Sequence, residues 1–205
     1  MSDATMDSLV KRARQEFGLK GYAEASVEHI AGEVGLTKGA VYYHFKNKKG
    51  FFEAVLRDCQ RDIVTRIEAR ATSSPEPRQA IVDGCLAFLD VVMDEELRQV
   101  VLVDGPAVLG YGHWRRIDSE FGLGSLKEGL QAYASDHGPV DVDVVAHTIS
   151  GALNDLVLFV SESSNRTASH RRVRRQLPIL VASMLDSASV AAAPRRTAAR
   201  AGGRR

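Results

Sequence analysis

Residues 35–48 read Gly35-Leu36-Thr37-Lys38-Gly39-Ala40-Val41-Tyr42-Tyr43-His44-Phe45-Lys46-Asn47-Lys48. Ala40, Val41 and Phe45 share one side of a helix over 37–44, and Thr37 is a good N-cap for it. A helix of about two turns is too short to be stable alone, so Val41 and Phe45 must anchor it to something larger. The other side offers Thr37, Lys38, Gly39, Tyr42, Tyr43 and His44, a donor-rich and partly aromatic surface. Gly39 costs about 1 kcal/mol inside a helix, yet it removes a side chain where a backbone can approach a ligand closely. Lys46, Lys48 and Lys49 cluster where Asn47 caps the next helix. Cations there oppose the helix dipole, but a helix N-terminus with added lysines suits an anion, and DNA phosphate is the obvious one.

Upstream, Leu9, Val10, Ala13 and Phe17 form one face of a first helix that Gly21 ends. Ser26 caps a short second helix with Val27, Ile30, Ala31 and Val34 inward, and Gly35 breaks it. A short helix, a glycine turn and a second short helix make the helix-turn-helix pattern, which is weak evidence on its own. Asn47 opens a long fourth helix with Phe52, Val55, Leu56, Cys59, Ile63 and Ile67 on one face.

Residues 72–77, Thr-Ser-Ser-Pro-Glu-Pro, mark a hinge. Beyond it a fifth helix carries Ile81, Cys85, Phe88, Leu89 and Val92. Apolar residues crowd 95–103 until Gly105-Pro106 interrupts. A helix is predicted over 111–136, loosened at Gly122 and Gly124, and ended by Gly138-Pro139. The 141–162 helix is apolar on more than one side, more than one domain core needs. The final helix, about 169–187, contains Pro178, a kink position. Residues 188–205 have no period and read as a disordered tail. The fold class is therefore all-α. The domains predicted are 1–50, helix-turn-helix; 51–187, a larger helical domain; and 188–205, the tail.

Charge excludes little globally, at +1, but its distribution is uneven. Residues 71–165 hold 5 Lys/Arg against 15 Asp/Glu, and residues 166–205 hold 10 against 1. Residues 1–50 hold 8 against 6, so binding to DNA would need local lysines and dimer avidity rather than a broad basic field. Two cysteines without a metal or redox motif indicate a reduced, cytoplasmic chain. The N-terminus is not a signal peptide, and no apolar run is expected to approach the roughly 20 residues that cross a membrane. Six histidines show no metal-ligand spacing, and Gly105–Gly110 lacks the Lys-Ser/Thr of a phosphate loop. No catalytic set, cofactor or metal site is identified.

Residues 9–52 resemble the DNA-binding domain of TetR/AcrR-type regulators. The resemblance lies in Phe17 before Gly21-Tyr22, Ser26-Val27, Ile30-Ala31, Val34-Gly35-Leu36, the run Lys38–Phe45, and Asn47-Lys48. It covers about a fifth of the chain in detail. It implies that Thr37, Lys38, Gly39, Tyr42, Tyr43, His44 and Lys48 line double-stranded operator DNA. Lys38 would reach guanine or a phosphate, Tyr42 and His44 would hold phosphates, and Lys48 has the best claim to one. Glu28 departs from the basic or polar residue often found there. It either accepts from cytosine or simply suits the helix dipole.

The resemblance further implies a homodimer through the last two helices, a palindromic operator, and a small-molecule effector in the second domain that releases the DNA. Ser150, Gly151 and Ala152 would allow close helix contact. Candidate effector contacts are Phe88, Leu102, Asp104, Trp114, Phe121, Asn154 and Phe159, with Val92, Val103, Leu109 and Leu126 beside them. His147 shares a face with Asn154. Asp104 either caps a helix near Pro106 or anchors a ligand. A ligand-independent architectural DNA-binding protein is the alternative. The basic stretch His170–Arg175 is a solvated helix face or a non-specific DNA contact.

Overall fold

A computed structural model describes residues 3–74 and 76–192. Among these the chain is all-helical, with no strand. Helices α1 (Asp3–Glu24), α2 (Val27–Glu33) and α3 (Lys38–Phe45) form the N-terminal unit. The long α4 (Lys48–Ala71) leads out of it to α5 (Pro77–Val92). Then follow α6 (Glu95–Arg98), a π-helical turn (Gln99–Asp104) and α7 (Gly105–Leu109). The remainder is α8 (Tyr111–Glu120), α9 (Gly122–His137), α10 (Val142–Glu162) and α11 (Arg166–Ala192).

The N-terminal core is aromatic. Phe17 meets Phe52 edge-on at 5.3 Å, and Tyr22 meets Phe52 at 5.2 Å. Leu9, Ile30, Val41, Phe51 and Phe52 are fully buried. Such T-shaped pairs each add about 0.5–1.5 kcal/mol beyond their buried area. The larger unit packs α4 against α5, with α8, α9, α10 and α11 around them.

Several expectations are corrected. The predicted 111–136 helix is two helices, because Phe121 leaves helical geometry at φ −117 and ψ −102. The final helix begins at Arg166, passes through Pro178 and continues to Ala192, so residues 188–192 are helical. Residues 193–205 of the predicted tail lie outside the described residues. α10, at 21 residues and mean hydropathy 1.5, is long and apolar enough by length and composition to cross a membrane, contrary to the sequence expectation. Its apolar residues lie on two sides, and Val144 and Phe159 remain 61% and 47% exposed.

Candidate DNA interface and inner cavity

Two short helices present the interface. Ser26 Oγ accepts from the His29 N–H at 3.2 Å and Thr37 Oγ1 from the Ala40 N–H at 3.2 Å, so both have side-chain caps. Gly35 takes φ +71 in the turn between them, a conformation that suits glycine. Val41 is fully buried and fixes which side of α3 faces inward. α3 ends at Lys46, whose φ of +67 reverses the chain into α4. The reversal is tight. A Cβ on Gly50 would lie 2.2 Å from the Phe45 carbonyl oxygen, so only glycine lets α4 start there. Asn47 Oδ1 accepts from the Gly50 N–H at 2.9 Å.

Thr37, Lys38, Gly39, Tyr43 and His44 are exposed on α3 or at its start, and Tyr42 is half-buried. Tyr43 is 87% exposed, unusual for an aromatic without a partner surface. Lys38 Nζ stands 5.8 Å above the Tyr42 ring. Nothing in the fold requires glycine at 39, where an added Cβ would meet only Thr37 Oγ1 at 3.8 Å. Glu28 is exposed in the first turn of α2. Lys48 is placed differently from the rest. Its Nζ donates to the Ala23 carbonyl at 3.0 Å and lies 4.8 Å over the Tyr22 ring, tying the start of α4 to the end of α1. Lys46 and Lys49 are exposed at the same corner.

A cavity opens in the larger unit, with about 740 Å³ of free space including its mouth. α4 supplies Gln60, Ile63, Ile67 and Ala71 to its wall, and α5 supplies Ile81, Gly84, Cys85 and Phe88. Asp118 of α8, Leu123, Ser125, Leu126 and Gly129 of α9, and Ser150, Leu153 and Asn154 of α10 also line it. Three of its polar residues, Gln60, Asp118 and Ser150, belong to one network. Gln60 Nε2 donates to Asp118 Oδ1 at 3.4 Å, Arg115 pairs with Asp118 Oδ2, and Arg115 Nη1 donates to Ser150 Oγ at 3.0 Å. Burial pushes the Asp118 carboxyl above the usual carboxylate range, against the opposing charge of Arg115 and the Gln60 hydrogen bond. Burial also pushes the Cys59 and Cys85 thiols up to about 12, so neither is a ready nucleophile.

Of the predicted effector contacts, Phe88 and Asn154 line the cavity, as does Leu126. The others lie elsewhere. Trp114 is buried and donates its indole N–H to the Val101 carbonyl at 2.8 Å, so it pins α8 to the π-helical turn. Leu102 is ordinary core and Phe121 starts α9. Phe159 faces outward from α10. Asp104 neither caps α7 nor reaches the cavity: it accepts from the Tyr22 N–H of α1. His147 is exposed, outside the wall. In the basic stretch, His170 Nε2 lies 3.1 Å from Asp90 and Arg174 pairs with the same carboxylate, while Arg171, Arg172 and Arg175 are exposed.

Gln60, Asp118 and Ser150 were not anticipated as cavity residues. Gln60 carries a signal in retrospect, as a polar residue beside the apolar stripe of α4. Asp118 sits next to buried Ile117 and one turn from Trp114, a carboxylate with no surface reason.

A short capped helix displaying aromatic and basic groups, joined by one long helix to a body with an inner cavity, is the arrangement of a helix-turn-helix transcriptional regulator. Known proteins agree. Residues 9–55 match the family described as bacterial regulatory proteins, tetR family, and residues 78–184 match the tetracyclin repressor-like C-terminal domain. The chain belongs to the TetR family. The transposon Tn10 TetC protein of Escherichia coli is 29% identical over 149 residues, 65% of this chain and 72% of its own length. The HTH-type transcriptional repressor BepR of Brucella suis is 28% identical over 100 residues, 47% of each chain. The crystal structure of a TetR-family regulator from Pectobacterium atrosepticum superposes with a TM-score of 0.71 at 24% identity, over 88% of this chain and 95% of that one. Regulators of this family bind DNA operators and small-molecule effectors as dimers.

Proposed function

We propose that this protein is a cytoplasmic repressor that binds a palindromic operator as a homodimer and leaves it when a small molecule enters the inner cavity. Residues 1–50 act as the DNA-binding domain, and the helices after it act as sensor and dimer body. The carrying observation is that α4 serves both sites. Its first turn packs against the end of α3, Gly50 on the Phe45 carbonyl and the Phe51 ring 4.8 Å from that of Phe45, and its second half supplies Gln60, Ile63, Ile67 and Ala71 to the cavity wall. A molecule filling the cavity must press on the element that sets where α3 points. In a dimer that changes the separation of two reading helices, which must match half-sites about 34–36 Å or a multiple apart. The effector weakens DNA binding only by its preference for the shifted state.

In this reading Lys38, Gly39, Tyr42, Tyr43 and His44 face the major groove, and Thr37 donates to a phosphate besides capping. The glycine at 39, which the fold does not demand, admits the DNA backbone closely. Lys46 and Lys49 meet phosphates, while Lys48 holds their platform in place. The cavity favours this reading over a ligand-independent architectural protein. The test is fluorescence anisotropy on the intergenic DNA beside the protein's own gene. Nanomolar, sequence-selective binding that Tyr43→Ala and Lys38→Ala weaken is expected. Equal affinity for every duplex would overturn the proposal.

A further inference from the structure

We infer that the effector is an uncharged, elongated and mostly apolar molecule carrying one hydroxyl or N–H donor, which binds at the Gln60–Asp118 end of the cavity. This rests on the assignment of the cavity as the effector site. The wall runs along α4 from Gln60 to Ala71, about 16 Å at the helical rise. The two ends differ. At one, Gln60 and Asp118 are 2% and 7% exposed and bonded to each other. At the other, Gly84 lies against Ile67 and Ala71, and Gly129 lies against Ile81. The small residues there leave room for hydrocarbon against Ile67, Ala71 and Ile81.

Charge decides the head group. Asp118 is the one ionisable carboxylate on the wall, and no lysine or arginine lines it. Its charge is already matched by Arg115 from behind. An anion would face Asp118 without a counter-cation. A cation would compete with Arg115 for a carboxylate already paired, in an apolar surround where unpaired charge is costly. A neutral head avoids both.

Hydrogen bonding decides its polarity. Gln60 gives one of its two amide N–H groups to Asp118, so one N–H remains there beside two acceptors, Gln60 Oε1 and a lone pair of Asp118 Oδ1. A hydroxyl or N–H donates to them. An ether or ester can only accept, from the one remaining Gln60 N–H, and leaves both acceptors desolvated. The Asn154 amide, on the wall and without a protein hydrogen-bond partner among the described residues, serves a second oxygen where the molecule has one.

The experiment is isothermal titration calorimetry on the full chain with four octyl probes: 1-octanol, octyl methyl ether, sodium octanoate and octyltrimethylammonium. 1-Octanol is expected to bind about tenfold more tightly than each of the others, the ratio for one hydrogen bond left unmade. In Gln60→Leu, 1-octanol should lose part of that margin, since only the Asp118 Oδ1 acceptor remains. Equal or tighter binding of either ion or of the ether, or no binding of 1-octanol, overturns the inference. Gly84→Leu, which fills the apolar end, separates the two levels. If it blocks every probe while an ion binds as well as 1-octanol, the chemical class is wrong and the site stands. If it leaves 1-octanol binding unchanged, the cavity is not the site.

Discussion

The Asp104 carboxylate accepts a hydrogen bond from the Tyr22 backbone N–H at 2.8 Å, bridging the larger helical unit and the N-terminal unit. The donor is free because Gly21, at φ 75 and ψ 165, breaks α1 just before it. The acceptor stands at the end of the π-helical turn, a distortion common at functional positions. That turn is tied to α8 by Trp114, and α8 carries Asp118 one helical turn further on. A continuous set of contacts thus joins the cavity to α1, beside the route through α4.

Asp104→Ala should leave the Tyr22 N–H without a partner and cost about 1–3 kcal/mol in urea unfolding. Asp104→Asn, which keeps an acceptor, should cost less than half of that. Hydrogen exchange gives the local readout: the Tyr22 amide should exchange faster in the alanine variant. An equally protected amide would show that the bond does not persist in solution.

Lys48 separates holding the interface from touching DNA. Its ammonium bonds the Ala23 carbonyl and covers the Tyr22 ring. Lys48→Ala should therefore destabilise the chain by about 1 kcal/mol, the scale of one such contact. DNA affinity should fall with little change in the salt slope, since no counterion-releasing contact is removed. Lys49→Ala should do the opposite, keeping stability and reducing the slope by about one unit. A salt slope reduced by Lys48→Ala would return the phosphate contact to that residue.

The helices and the outward face of α3 were legible because local pattern decides them. Leu9, Val10, Ala13 and Phe17 can share one face only at a helical period, and buried Val41 turns Tyr43 outward. The break at Phe121 was not, since the apolar period continues through it from Ile117 to Leu130. The cavity was hidden for another reason. Its wall comes from five helices, and Ile63, Ile67 and Leu123 look the same in sequence whether they meet a neighbour or a void. Asp104 finds its partner 82 residues away, beyond any local rule.

Glu16 gives the reading head an acid limit. It is 2% exposed, bonded by Lys20 at 2.7 Å and by Arg12 at 3.3 Å. Burial alone would raise its carboxyl, but the Lys20 hydrogen bond and charge outweigh that and hold it below the ordinary range. A carboxylate with a lowered folded pKa stabilises above its unfolded value, about 4.3 for glutamate, and loses that contribution as pH falls through the folded value. Wild type should exceed Glu16→Gln in stability by a constant margin from pH 7 to about pH 5, and the margin should close below about pH 4. Urea unfolding across that range measures it. A margin that widens on acidification would reverse the assignment.

The outer faces of α10 and α11 carry the last prediction. Val144 and Phe159 on α10, and Ile179 and Leu180 on α11, are 61%, 47%, 59% and 51% exposed, an apolar set on two adjoining helices. Gly151 lies between the first two on the exposed side of α10, leaving room for a close helix crossing. Burying such a face between two copies supplies about 25 cal/mol per Å², and a stable interface needs about 1,600 Å² in total. Phe159→Glu would place an unpaired charge in that interface without disturbing the protomer core, because the ring is already half in water. The variant should sediment as a monomer at micromolar concentration with unchanged helicity. It should also lose at least about a hundredfold in operator affinity, because each half-site contact then stands without the avidity of the second. On the proposed dimer, wild type should not partition into lipid vesicles, because a second copy would cover its apolar helix. A Phe159→Glu protein that remained dimeric would place the contact elsewhere, and wild type recovered with the vesicles would assign this face to a bilayer instead.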